Sequence, residues 1–246
     1  MEIRIDGLRH VYAGKGLDAR QVFAIDRWTI PSGAQMLLRG ISGSGKTTLL
    51  NILAGLLPPT TGQVWLDQQM IYQLSEVRRD ELRARRIGYV FQIHLLVPTL
   101  TALENVEMPL IFAGNLSGRQ RRRQATELLT QVGLEHFLNH RPVQLSVGQR
   151  LRVSIARALV SQPALLLADE PTAALDSSYG QRVMDLMQSL CREAGTTMVV
   201  ASHDPALDTR FDQVATLQNG TIQKSLVAPQ REASQPASHP LPAKAQ

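Results

Sequence analysis

The chain has 246 residues, 43% hydrophobic and 19% charged, which is enough apolar material for one large buried core and excludes a mostly unfolded polypeptide. A formal net charge of +5 fits an anionic partner, whether polyphosphate, membrane surface or nucleic acid, and does not choose among them. The one cysteine, Cys191, excludes an intrachain disulfide and a multi-cysteine metal site, and no run of about 18 apolar residues is available to span a membrane.

In chain order, Ile3, Ile5 and Leu8 alternate as in a strand. The start MEIRIDGLRHVY is charged and alternating, unlike a signal peptide. Residues 22–30 read as a second strand closed by the turn signal Pro31-Ser32-Gly33, and residues 35–38 as a short apolar run entering a glycine-rich loop. A helix over 47–54 is stopped by Gly55 and Pro58-Pro59. Val64-Trp65-Leu66 suggest a strand, 78–86 a charged helix and 87–91 another strand. From Leu95 to about Val160 the pattern is helical, with ALENVEMPL, a basic helix over 119–132 and a helix after Ser146. Strands over 164–168 and 198–201 enclose a helix over 181–193. This alternation predicts an α/β fold with a mainly parallel sheet and a helical insertion. From Leu226 onward the chain is rich in Pro, Ala, Ser and Gln, which predicts a disordered tail over 226–246.

Gly40-Ile41-Ser42-Gly43-Ser44-Gly45-Lys46-Thr47 satisfies G-x-x-x-x-G-K-[ST] between an apolar strand and a helix, the context that a phosphate loop requires. Glycines let successive N–H groups face one anion, and the helix N-terminus adds its positive dipole end. Lys46 would reach the β and γ phosphates of a nucleoside triphosphate; the Thr47 hydroxyl would hold Mg²⁺, with Thr48 beside it. A glycine-rich turn without a ligand would explain the glycines but not Lys46 and Thr47 in their required places.

Three apolar strands end in polar groups. Ala164 to Ala168 lead into Asp169 and Glu170; the first acid can hold Mg²⁺ and the second can act as a general base on water. His203 ends Val199-Val200-Ala201-Ser202, and Gln92 follows Gly88-Tyr89-Val90-Phe91. In a doubly wound sheet such ends face the ligand crevice. A lone strand-end histidine is more often structural, so His203 draws its weight from its expected proximity to Glu170.

Leu145-Ser146-Val147-Gly148-Gln149, followed by Arg152, Ala156, Arg157 and Ala158, resembles the signature of the ABC ATPase superfamily. With GISGSGKT, LLLADE, AALD ending at Asp176, and ASHD, five motifs stand in the family's order across about residues 1 to 224. LTALENVEMPL and LLADEPTAALD are similar to the lipoprotein-release and macrolide-export branch. The resemblance implies a P-loop NTPase (RecA-like) core over about 1–92 and 160–225, an N-terminal antiparallel β region, and a helical subdomain over about 93–159, together one ATPase domain over 1–225.

It also implies ATP hydrolysis with Mg²⁺ by a head-to-tail homodimer that drives a transmembrane permease from the cytoplasmic face of the membrane. Tyr12 would then stack on adenine, and Gln92 would help hold Mg²⁺ and sense the γ phosphate. Ser146, the Gly148 amide and Gln149 would contact the partner's nucleotide, and Asp176 would lie at the dimer interface. Val147 replaces a signature glycine and, being β-branched, avoids a left-handed backbone; a loop needing one there would be distorted, but with Ser146 and Gly148 retained activity is expected to survive, at a reduced rate. Ile41 stands where many members have proline, and Arg150-Leu151 replace the common Gln-Gln. Arginine clusters at 78–86 and 119–123 read first as solvated helix faces; without an aromatic platform, no nucleic acid is expected. Too few residues separate Gln92 from Leu145 for the long coiled coil of repair members. An envelope-signalling ATPase that transports nothing would carry the same cytosolic machinery.

Overall fold

The alternation at the start of the chain becomes strand β1 (Ile3–Tyr12), with Ile3, Ile5 and Leu8 buried and Arg4, Asp6 and Arg9 facing out. The computed structural model describes residues 1–12, 20–114 and 116–227. After β1 come β2 (Arg20–Ile30), β3 (Gln35–Arg39), α1 (Lys46–Leu53), β4 (Thr61–Leu66), β5 (Gln69–Met70), α2 (Glu76–Arg86) and β6 (Ile87–Val90). The helical segment holds α3 (Ala102–Ala113), α4 (Gly118–Gln131) and α5 (Val147–Leu159). The chain then returns to β7 (Leu165–Asp169), α6 (Ser177–Glu193), β8 (Thr197–Ser202), β9 (Gln213–Gln218) and β10 (Thr221–Val227).

Two sheets form. One is antiparallel, in the order β2-β1-β4-β5. The other runs β10-β9-β3-β8-β7-β6, parallel throughout except that β10 is antiparallel to β9. Every residue of β7 and β8 is buried, as parallel strands covered on both faces require. The period of two sorts their side chains: Leu165, Leu167 and Val199 join the core under the antiparallel sheet and α1, while Leu166, Ala168 and Val200 face α5 and α6. A third cluster, with Leu103, Val106, Leu129 and Val153, binds α3, α4 and α5 together. Cys191 is a buried core residue, its thiol pushed up to about 12 by burial.

The structure departs from the sequence reading in three places. The helix expected over 181–193 begins at Ser177, because Asp176 caps it by accepting the Tyr179 N–H at 2.9 Å. The β9–β10 hairpin has no counterpart among the strands expected from the sequence. It turns on Asn219-Gly220, both with positive φ (49° and 76°), and Gly220 O accepts the Ala24 N–H at 2.7 Å, tying the hairpin to β2. β10 also runs to Val227, past the expected boundary at 225; the rest of the expected tail, 228–246, lies outside the described residues.

The basic clusters are partly internal braces. Arg83 donates to Gly55 O at 2.7 Å and pairs with Asp80, Arg79 donates to Leu74 O at 3.0 Å, and Arg121 to Leu116 O at 2.8 Å.

Candidate nucleotide site

β3 hands the chain directly to the loop Gly40–Gly45 and then to α1. Gly45 caps the helix at φ 101°, and a Cβ there would lie 2.4 Å from Val22 Cγ1. At Gly40 a Cβ would meet Ser44 Oγ at 2.6 Å and Leu217 O at 2.8 Å. The loop can close only with glycine at these two places. Among the described residues no side chain caps α1, so its first-turn N–H groups remain available to an anion. Ile41 is 79% exposed, its side chain turned away from the loop's interior.

Lys46 is buried and its Nζ donates to Gly40 O at 2.7 Å and Ile41 O at 3.1 Å; it also lies 3.3 Å from Glu170 Oε1. The same Glu170 oxygen is 2.9 Å from His203 Nδ1. Glu170 reaches this position through a left-handed backbone, φ 45°, just beyond β7, where its N–H donates to Ala201 O at 2.9 Å. Thr47 Oγ1 donates to Asp169 Oδ2 at 2.7 Å. Burial is the main cause raising the Asp169 pKa above the ordinary carboxylate value, against the Thr47 hydrogen bond, which lowers it.

These groups share one cavity of about 310 Å³ with Ser42, Gly43, Thr48 and, on the far strand end, Gln92. Tyr12 stands at its rim, 49% exposed, with its hydroxyl 3.2 Å from Thr48 Oγ1. Val22 and Gln21 of β2 also line it. No motif marks them, since they are ordinary strand residues; only the pairing of β2 with β1 brings them beside Tyr12.

The donor set suits a hard cation. Asp169 Oδ1 is buried and has no hydrogen-bond partner among the described residues, next to the oxygen that Thr47 occupies. Mg²⁺ typically takes one or two protein oxygens and completes its shell with phosphate and water, so this pair fits it without a cluster of carboxylates.

Ser146, Gly148, Gln149 and Asp176 do not line this cavity. Ser146 caps α5 in a capping box: Ser146 Oγ accepts the Gln149 N–H at 3.3 Å, and Gln149 Oε1 accepts the Ser146 N–H at 2.8 Å. Val147 is the first helical residue and is absent from the positive-φ positions, so the left-handed backbone on which a distortion would depend is not adopted there. Gly148 is buried against Tyr179 of α6. Arg150 Nη1 donates to Leu145 O at 2.6 Å, bracing the segment that leads into the cap. Asp176 Oδ1 accepts from the Tyr179 N–H and Ser178 Oγ, both at 2.9 Å, which hold its carboxyl below the usual range.

A phosphate cradle at the carboxyl edge of a parallel sheet, flanked by strand-end acids and interrupted by a helical subdomain, defines a P-loop nucleotide-binding protein. A family model described as ABC transporter matches residues 25–173. The chain is 44% identical over 192 residues to the lipoprotein-releasing system ATP-binding protein LolD of Psychrobacter arcticus, covering 78% of this chain and 85% of that one. It is 47% identical over 190 residues to LolD of Pseudomonas fluorescens, covering 77% and 83%. The dimeric post-hydrolysis structure of the cassette MJ0796 of Methanocaldococcus jannaschii, bound to ADP and Pi, matches with a TM-score of 0.85 at 39% identity, over 92% of this chain and 99% of that one. The chain belongs to the ABC transporter family and is an ABC ATPase.

Proposed function

We propose that this chain is the ATP-hydrolysing subunit of an efflux or lipoprotein-release type transporter, working as a homodimer and held to the cytoplasmic face of the membrane by its permease. The observation that carries this reading is a division of labour within one chain. Lys46, Glu170 and His203 converge on one cavity, while Ser146 and Gly148 open a helix outside it. Two copies set head to tail would complete each other's sites, in keeping with the dimeric MJ0796 structure.

ATP would lay its phosphates on the first-turn N–H groups of α1 and draw Lys46 Nζ away from Gly40 O, Ile41 O and Glu170 Oε1. Glu170, oriented by His203, would then accept a proton from the attacking water. Mg²⁺, held by Thr47 Oγ1 and Asp169 with Gln92 nearby, would neutralise the β and γ oxygens. Tyr12 would stack on the base, and the partner's Ser146 hydroxyl and Gly148 amide would reach the γ phosphate.

A second cavity, about 690 Å³, lies between α2, β6, α3 and α5, with Val77, Phe91, Leu95, Met108 and Phe112 on its walls. Val77 is 68% and Phe112 71% exposed, an apolar patch suited to a helix of the permease. Phe112→Asp should weaken association with the permease by about 30-fold while leaving ATP binding intact. Co-purification from detergent-solubilised membranes checks this. A chain that stays in the soluble fraction with full activity, indifferent to Phe112→Asp, would remove the transport reading.

A further inference from the structure

The turn after β6 carries Gln92 to the mouth of the nucleotide cavity and then bends sharply. His94 N–H donates to Phe91 O at 2.9 Å and Leu95 N–H to Ile93 O at 2.7 Å. His94 and Leu95 are consecutive non-glycine residues in the left-handed region, at φ 61° and 45°. Side chains with a Cβ enter that region at a steric cost, so a second contact must hold the bend.

That contact is Arg157, in the last turn of α5. Its Nη2 donates to His94 O at 2.6 Å and its Nη1 to Leu95 O at 2.7 Å. Ser154 Oγ, one turn earlier, adds a weaker bond to His94 O at 3.4 Å. One planar fork thus takes both strained carbonyls, a geometry that a lysine cannot reproduce. Arg157 also lines the apolar groove together with Phe91 and Leu95, and it sits on the helix that Ser146 begins. One residue of the signature helix therefore reaches both the groove and the Gln92 turn.

We propose that Arg157 is a positioning residue that, by holding the His94 and Leu95 carbonyls, sets Gln92 at the nucleotide. This rests on the reading of Gln92 as a contact of the γ phosphate and Mg²⁺. The test uses the full chain and steady-state ATP hydrolysis, titrated separately with ATP and Mg²⁺. Arg157→Lys should lower kcat by ~10-fold and raise the Mg²⁺ requirement, with KM for ATP within about twofold, because misplacement rather than lost binding is the cause. Added to Gln92→Ala it should cause no further loss. Leu95→Gly accepts the left-handed backbone without a clamp, so Arg157→Lys/Leu95→Gly should regain at least about half the lost rate even if Arg157→Lys melts early.

An unchanged kcat and Mg²⁺ requirement in Arg157→Lys beside a loss in Gln92→Ala would overturn the role of Arg157 alone. Additive losses, or no recovery with Leu95→Gly, would overturn it too. No loss in Gln92→Ala would instead sink the reading of Gln92 on which it stands.

Discussion

A methyl group at Gly148 would lie 2.3 Å from Cε1 of Tyr179, and that ring is flanked by Arg152 and Arg182 at 5.9 and 5.4 Å from its centroid. Relief requires the ring or the first turn of α5 to move. Gly148→Ala is therefore expected to lower ATP turnover by ~100-fold while leaving nucleotide affinity within about threefold, since the chain's own phosphate loop is untouched. Tyr179→Ala opens the space, and the double variant should recover about tenfold of that loss. Absence of recovery would mean that the ring is not the obstacle. Val147 is a milder case. It is the first residue of α5 and 38% exposed, so Val147→Gly should change turnover by less than about twofold and lower the melting temperature by about 2 °C through helix propensity. A tenfold rise in turnover would show that valine does slow the site. The preference of valine against a left-handed backbone was legible in the sequence. The conformation that the position demands was not, because it depends on where the Ser146 cap starts the helix.

Elements with a strong local signal lie nearly where the sequence pattern puts them. The apolar runs that became β7 and β8, and the strand–loop–helix around Lys46, needed no tertiary information. The β9–β10 hairpin had its signal in Asn219-Gly220, but Gln213–Gln218 mixes buried and exposed positions too weakly to frame the turn as a hairpin. The place of Gln21 and Val22 in the cavity wall, and the contacts that Arg157 of the signature match makes with His94 and Leu95, were not legible because the partners are distant in the chain. Local signals also give a stability prediction at the start of α3, a wall of the apolar groove. Thr101 Oγ1 accepts the Glu104 N–H at 3.2 Å, and Glu104 Oε2 accepts the Thr101 N–H at 2.7 Å. Thr101→Ala should cost about 1 kcal/mol, or about 3 °C in melting temperature. The Thr101 N–H is the main cause holding the Glu104 carboxyl below its ordinary value of 4.5. In the window below that value the unfolded chain binds more protons than the folded one, so stability rises with pH there, is complete above it, and is lost as pH falls through the folded value. Glu104→Gln should therefore cost a few tenths of a kcal/mol near neutral pH, since the pair is exposed, and the difference should shrink in acid. Urea unfolding of both proteins across that range measures it; a gap that widens in acid would contradict the sign.

At the scale of the whole molecule, the two proposed half sites make oligomeric state the decisive measurement. Glu170 Oε1 holds both Lys46 Nζ and His203 Nδ1, so replacing its charge changes two things at once. With Glu170 proposed as the base for the attacking water, Glu170→Gln should lower turnover by at least ~100-fold. It also frees Lys46 from a competing carboxylate, so ATP should bind as tightly as before or more so. A dimer closed over uncleaved ATP would then accumulate, because ATP stabilises only the state that binds it better and hydrolysis no longer ends that state. Sedimentation of Glu170→Gln should give a species of twice the chain mass with ATP and the monomer with ADP. Gly148→Ala placed in the same chain should return it to the monomer, since it disturbs the half site proposed for each copy to offer the other. A Glu170→Gln chain that stays monomeric at saturating ATP would rule out a site completed by a second copy and leave Ser146 and Gly148 without the partner proposed for them.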